Sequence, residues 1–424
     1  MMIDGKRLLL NLAAFRRFSD TPGSGVTRFS YGSQDAKARR SIINRAKRIG
    51  CPVRIDAVGN IRIGLPSNQP GRPAIFCGSH IDTVRNGGWL DGIYGVCSAL
   101  EVLETLAERG RKKATRNFET VIFAEEEGSN FGSTMTGSKF ITGKYGNEDL
   151  ERLTADNGKT MRQVLQEAGL EPETTAGSQL DPVPWDLSNV AAMLELHIEQ
   201  GPVLDRAGIP IGIVDSIFGM RVVEVVLTGV GNHAGATPMS ERHDPLSAAA
   251  ECILAAESMV AADPNKRAVV TVGKLEVQPN CSNVIPETVR FSIEVRDSNN
   301  EKINRYMSEI IHDIREIALN RDVNCQIHEH SSSKPLHLDD GVREVIRQTA
   351  ESSGISYRVM DSGAVHDACM IAEASVPTGM IFVPSIDGRS HVPEEDTKGE
   401  DLIRGTQLLM DVIETLLTQT EEEQ

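Results

Sequence analysis

AIFCGSHIDTVRNGGWLDGIYGV, residues 74–96, opens with a short apolar run that breaks at Gly78 and Ser79 and delivers His80. Asp82 follows two residues later, and Asp91 lies beyond a glycine-rich turn. An apolar run bounded by small residues predicts a buried strand, and helical spacing resumes over 93–108. An imidazole and carboxylates leaving one strand end together suit a divalent metal held by nitrogen and oxygen. Asp82 is placed to steady the second ring nitrogen of His80.

The same alternation extends in both directions. Upstream, the spacing predicts a helix over 35–49 ending at Gly50 and a β-hairpin over 52–65 turning at Gly59 and Asn60. Downstream, a strand over 119–124 runs into Glu125, Glu126, Glu127 and Gly128. A polar stretch holds one helix, 160–168, and a proline-rich loop, and a strand over 191–196 then ends at His197. Alternating strands and helices imply an α/β sheet.

After Asp215 the pattern changes. Strands over 221–227, 268–277, 288–295 and 323–328 with helices over 245–261 and 301–319 give β-α-β-β-α-β, the ferredoxin-like plan. Residues 331–335, SSSKP, read as a return linker. The α/β pattern resumes with helices 341–352 and 367–373, a strand 378–383, a loop reaching His391, a helix 398–417 and an acidic tail expected to fray. The expected architecture is an α/β catalytic domain, a mixed sheet flanked by helices, from residues 1–216 and 333–424. An α+β domain of the ferredoxin-like kind is inserted at 217–332.

The 424 residues are too many for one core, and the formal net charge of -16 argues against a nucleic-acid or anionic-membrane surface. The N-terminus carries Asp4, Arg16 and Arg17 and lacks a signal-peptide pattern, and no stretch reaches membrane-spanning length. Seven scattered cysteines without a CxxC pair read as reduced thiols of a cytoplasmic protein.

Four strand ends thus present His80 with Asp91, Glu126 with Glu127, His197, and His391. In open α/β sheets, ligands bind outside the carboxyl ends of the strands, so these groups can converge. Each alone could be a solvated loop residue. Together they suffice for two metals sharing a carboxylate, a centre that activates water for hydrolysis. If Glu127 binds metal, Glu126 can face the water as base, because neighbours in an extended segment point to opposite sides.

With GSHIDTV, NGGWLDG, AEEEGS, ELHIEQGP, NHAGATPM, NVIP, SGAVHDA and MIFVPS…SH in this order, the chain resembles the M20 metallopeptidase-related amidohydrolases. The resemblance is to the hydantoinase/carbamoylase branch, which contains N-carbamoyl-L-amino-acid hydrolases, allantoate amidohydrolases and β-ureidopropionase-like enzymes. It implies that His80, Asp91 and His197 hold one metal and that Asp91, Glu127 and His391 hold the other. Asp91 then bridges, Glu126 is the general base and Asp82 supports His80. Zn²⁺ is the default metal, with Mn²⁺, Co²⁺ or Ni²⁺ as alternatives.

The resemblance further implies that His233 stabilises the oxyanion across a dimer, and that Gln200, Asn283, Arg296 and His366 contact substrate. A loop histidine or a strand-end arginine can equally face solvent. Asn130, Glu294, Val365 and Arg389 depart from the branch's usual pattern and leave the substrate open. The expectation is hydrolysis of the ureido C–N bond of a small N-carbamoyl amino acid or related ureido acid, releasing ammonia and carbon dioxide, in a homodimer joined through the insert. Allantoate is the nearest rival substrate, and a dipeptidase or aminoacylase is the next.

Overall fold

Ala74–His80 is a strand in which every residue is buried. It pairs parallel with Asn117–Phe123 on one side and with Val190–Ile198 on the other. Val190–Ile198 pairs parallel with Thr378–Val383. Strands covered on both faces are apolar throughout, which is why these read as continuous apolar runs. The sheet extends antiparallel through Ile211–Ile217 at one side and through Ile61–Leu65 and Val53–Ile55 at the other, so it is mixed.

Alternate residues of Ala74–His80 serve different cores. Ile75 and Cys77 pack with helices Ile93–Arg109 and Gly399–Thr418, whereas Ala74 and Phe76 join Ile141 and Ile371 on the opposite face. Complete burial of side chains the size of Ile75 and Phe76 stabilises by about 1.5–3 kcal/mol each.

The computed structural model describes residues 2–65, 71–109, 114–169, 182–264 and 267–419. The acidic tail beyond 419 and much of the proline-rich loop lie outside the described residues. The chain divides into two units, one made of Met1–Asp215, Leu338–Met360 and Val365–Gln424, the other of Ser216–His337 and Asp361–Ala364.

The second unit has its own core, in which Val223, Val225 and Phe291 meet Met307 and Ile310. Its antiparallel sheet runs Leu275–Gln278, Thr288–Asp297, Gly219–Thr228, Asn324–Ser333, with Val269–Thr271 also beside Thr288–Asp297. Helices Pro245–Ala261 and Asn300–Asn320 complete a β-α-β-β-α-β order. Among the described residues, no helix is long and apolar enough to cross a membrane.

Several local expectations change. The first strand does not break at Gly78 and Ser79, because both sit in the ladder opposite Val121 and Ile122 and the strand continues through His80. His197 likewise lies within Val190–Ile198 rather than after it. The 268–277 strand is two short ones, Val269–Thr271 and Leu275–Gln278. Ser331, Ser332 and Ser333 are not a linker, since they pair with Val222, Arg221 and Met220. For Gly78, Ser79 and the three serines, ladder hydrogen bonding outweighs weak local β-propensity. Helix Gly5–Phe15, capped by Asp4, and strands Ile211–Ile217 and Tyr357–Ser362 are additions to the expected elements.

Candidate metal centre

Parallel pairing brings the carboxyl ends of Ala74–His80, Asn117–Phe123, Val190–Ile198 and Thr378–Val383 to one edge. Asp91 stands between His80 and helix Ile93–Arg109, within reach of this edge. Its Oδ1 lies 3.4 Å from His80 Nε2 and 3.2 Å from His197 Nε2. Its Oδ2 lies 3.2 Å from His391 Nε2, which is itself 3.4 Å from Glu127 Oε1. Among the described residues three groups of possible metal ligands come together, and two of them, His80–Asp91–His197 and Asp91–Glu127–His391, share Asp91.

The buried histidines are oriented from behind. His80 Nδ1 is 3.0 Å from the main-chain carbonyl of Asp82, and His197 Nδ1 is 2.9 Å from that of Ile198. A proton on Nδ1, donated to these carbonyls, would leave each Nε2 available to a metal, and the Gly92 N–H lies 3.2 Å from His197 Nε2. Gly92 makes room for the first ring, because it has φ +65 and a Cβ there would fall 2.4–2.6 Å from three atoms of the His80 imidazole.

Asp82 meets the second ring nitrogen of His80 through its main chain rather than its side chain. Its backbone oxygen makes the hydrogen bond to His80, while its carboxylate Oδ1 stands 3.7 Å from Nδ1. The carboxylate instead accepts the N–H groups of Glu126 at 3.2 Å and Glu127 at 3.0 Å.

Nor is the acidic run extended. Glu125 has φ 55, and its side chain turns away to accept the N–H groups of Asn130 at 2.7 Å and Phe131 at 3.3 Å. The left-handed residue and the grip of Asp82, rather than strand alternation, separate the carboxylates. Glu127 is directed to His391, whereas Glu126 Oε2 lies 3.7 Å from His80 Nε2 and belongs to neither three-residue group. Asn130 thereby gains a role, as the partner that holds the bend.

These acids crowd one buried volume. Burial pushes the Glu126 carboxyl well above its usual range; His80 opposes this, and Glu127, Asp367 and Asp82 add to it. Burial, with the charge of Asp91, pushes Glu127 up to about 7. Asp91 goes the other way: burial opposes its ionisation, but His197, His391 and His80 hold it well below the carboxylate range. The Asp91 hydrogen bond raises His391 to about 9. A divalent cation would offset this excess of negative charge. Glu127 Oε1 is buried with no hydrogen-bond donor, which a metal would remedy, and the mixed nitrogen and oxygen set fits Zn²⁺, Mn²⁺, Co²⁺ or Ni²⁺.

Gln200, expected at the substrate, places its Nε2 2.7 Å from Asp91 Oδ2, and its Oε1 is buried without a partner. His366 packs edge-on against His197 with centroids 4.7 Å apart, and burial with His197 holds its imidazole well below the usual range, hence neutral. Glu195 also adjoins His197 and His366, but its two oxygens receive Ser79 Oγ at 2.7 Å and the Ala368 N–H at 3.0 Å. It is a hydrogen-bonded support, not a further ligand. A glutamate inside the apolar run AAMLELHI was the available signal for it.

His233, Asn283 and Arg296 belong to the second unit. His233 is exposed, and its Nδ1 accepts the N–H groups of Gly235 and Ala236, both at 3.1 Å. The Asn283 carbonyl accepts the Ala234 N–H at 3.0 Å, which ties the two loops together. Arg296 donates to Glu294 at 2.6 Å and to the Gly363 carbonyl at 3.1 Å, so the departing residue Glu294 orients this guanidinium.

Residues 76–415 match peptidase family M20/M25/M40. The chain is 36% identical over 413 residues to an N-carbamoyl-L-amino-acid amidohydrolase of Paenarthrobacter aurescens, covering 97% of this chain and 98% of that one. It is 35% identical over 400 residues to an allantoate amidohydrolase of Bacillus subtilis, covering 94% of each. Among solved structures, a hydantoinase/carbamoylase family amidase from Burkholderia multivorans aligns over 99% of both chains, with TM-score 0.89 and 32% identity. The chain belongs to peptidase family M20/M25/M40.

Proposed function

We propose that this protein is a metal-dependent amidohydrolase that cleaves the ureido C–N bond of a small N-carbamoyl amino acid or related ureido acid, releasing ammonia and carbon dioxide. The observation that carries the reading is the pair of ligand groups sharing Asp91, with Glu126 beside them and outside both. Two divalent ions, Zn²⁺ by default, would be held by His80, Asp91, His197, Glu127 and His391. When bound, such a pair supplies Lewis acidity and a water acidic enough to ionise near neutral pH.

The protein's own groups do the rest. Glu126 takes the proton from the attacking water and passes it to the leaving nitrogen as the C–O bond forms and the C–N bond breaks; the carbamate left by this cleavage then breaks down, which completes the release of ammonia and carbon dioxide. His391 is 46% exposed at its side chain whereas His80 and His197 are buried, so substrate approaches from the His391 side. Gln200, Asn283, Arg296 and His366 bind the substrate in this reading, and His233 stabilises the oxyanion. The enzyme works as a cytoplasmic homodimer joined through the inserted unit.

Allantoate is a second reading, supported by the 35% identity to an allantoate amidohydrolase and by the segments PNCSNVIP and YRVMDSGAVHDA. The test is ammonia release by the metal-replete enzyme from a panel of N-carbamoyl-L-amino acids and allantoate, with dipeptide cleavage followed in parallel. Turnover of ureido acids is expected. Cleavage of dipeptides alone would overturn the proposal in favour of a dipeptidase or aminoacylase.

A further inference from the structure

Glu395 follows the last ligand segment and is only 1% exposed. Its Oε1 accepts the main-chain N–H groups of Leu90 at 2.9 Å and Asp91 at 3.0 Å. Its Oε2 lies 2.7 Å from Ser390 Oγ, which is also 3.0 Å from Asp91 Oδ2. That same Asp91 oxygen faces His391. A serine hydroxyl carries one proton, so Ser390 donates to one carboxylate at a time and lies between Glu395 and Asp91. The close approach is built in at Gly88, where a Cβ would fall 1.9–2.2 Å from the Glu395 carboxyl group.

We infer that Glu395 is a positioning residue that clamps the Asp91 loop to the His391 segment, so that Asp91, Glu127 and His391 can take an ion together. This rests on the two-ion reading above. Glu395 is not itself a ligand in this arrangement, because its oxygens are engaged by Leu90, Asp91 and Ser390. The other group depends on it less. His80 and His197 are set by the strand ladder and by the carbonyls of Asp82 and Ile198. His391 has φ 60 and follows the final strand by several residues, so nothing in a ladder fixes it. Losing Glu395 therefore releases one ion in preference to the other.

The test is titration of the metal-free, full-length protein with Co²⁺, reading the visible d–d spectrum and the ions retained per subunit. The parent is expected to retain two ions. Glu395→Ala should weaken one of them by about 10–100-fold, as loss of an outer-shell partner does, and leave the other and the far-ultraviolet circular dichroism unchanged. Glu395→Gln should restore the second ion, because its amide oxygen still accepts the Leu90 and Asp91 N–H groups.

Parent-like binding by Glu395→Ala, or equal weakening of both ions, overturns the inference alone. A parent that retains a single ion overturns the two-ion reading as well. If Glu395→Ala does not fold, Ser390→Ala decides: selective weakening of the same ion supports the clamp, and parent-like binding overturns it.

Discussion

Replacing Glu126 by glutamine removes a proton acceptor and changes almost nothing else. The side chain is buried, so an amide of the same shape leaves no cavity. The main-chain bond from the Glu126 N–H to Asp82 survives, and with it the bend that aims Glu127. None of the five ligand candidates is altered. Burial already favours the protonated form of Glu126 in the metal-free protein, so the neutral amide should leave metal-free stability close to the parent's.

What is lost is general acid–base assistance, typically about 10²–10⁴ in rate, or roughly 3–5.5 kcal/mol at about 1.36 kcal/mol per tenfold. The expected result is a kcat fall of that size with an unchanged metal content, measured by ammonia release and elemental analysis on the same preparation. Activity within a few-fold of the parent would refute the assignment of Glu126 as the base. Loss of metal in parallel with activity would show instead that Glu126 is a ligand.

Two further outcomes follow from the same geometry. Gly92→Ala places a methyl group against the His80 ring at a left-handed position, which costs about 1–2 kcal/mol in backbone conformation before the overlap is counted, so elemental analysis should show reduced metal content and thermal denaturation a lower Tm. The metal-free protein should lose stability as pH rises from about 5 to about 9. Glu127 is raised from 4.5 to about 7, Glu125 from 4.5 to about 8 and His391 from 6.5 to about 9, so over this range the folded state binds more protons than the unfolded chain. Each contribution is complete below the unfolded value and is lost as pH passes the folded one. Thermal denaturation in a chelator, with and without excess Zn²⁺, measures this; a Tm that rises over the window contradicts it.

Much of the architecture is written locally. Apolar runs bounded by glycine, proline and polar residues mark Thr378–Val383, and the 3.6-residue spacing marks Pro245–Ala261 and Asp367–Glu373, all with the expected bounds. The residue types brought to one edge were also legible, because a ligand-forming side chain after an apolar run is visible in the chain itself. Strand limits were less so. Gly78, Ser79 and Ser331 to Ser333 are strand residues only because a neighbouring strand pairs with them. Left-handed backbone at Glu125, Gln200 and His391 leaves no signature in side-chain pattern, since such strain is imposed by surrounding contacts.

The sequence by itself determined the alternation of elements, the change of pattern after Asp215 and the kinds of group available to a metal. Only the tertiary structure decided how they are used. It gave His80 a carbonyl rather than a carboxylate as its partner, turned Asp82 onto the N–H groups of Glu126 and Glu127, and laid Gln200 on Asp91. It also joined Glu395 to Leu90 across 305 positions of chain. The physical reason is that a hydrogen bond depends on distance and direction in space, whereas sequence pattern reports which face of its own element a residue occupies.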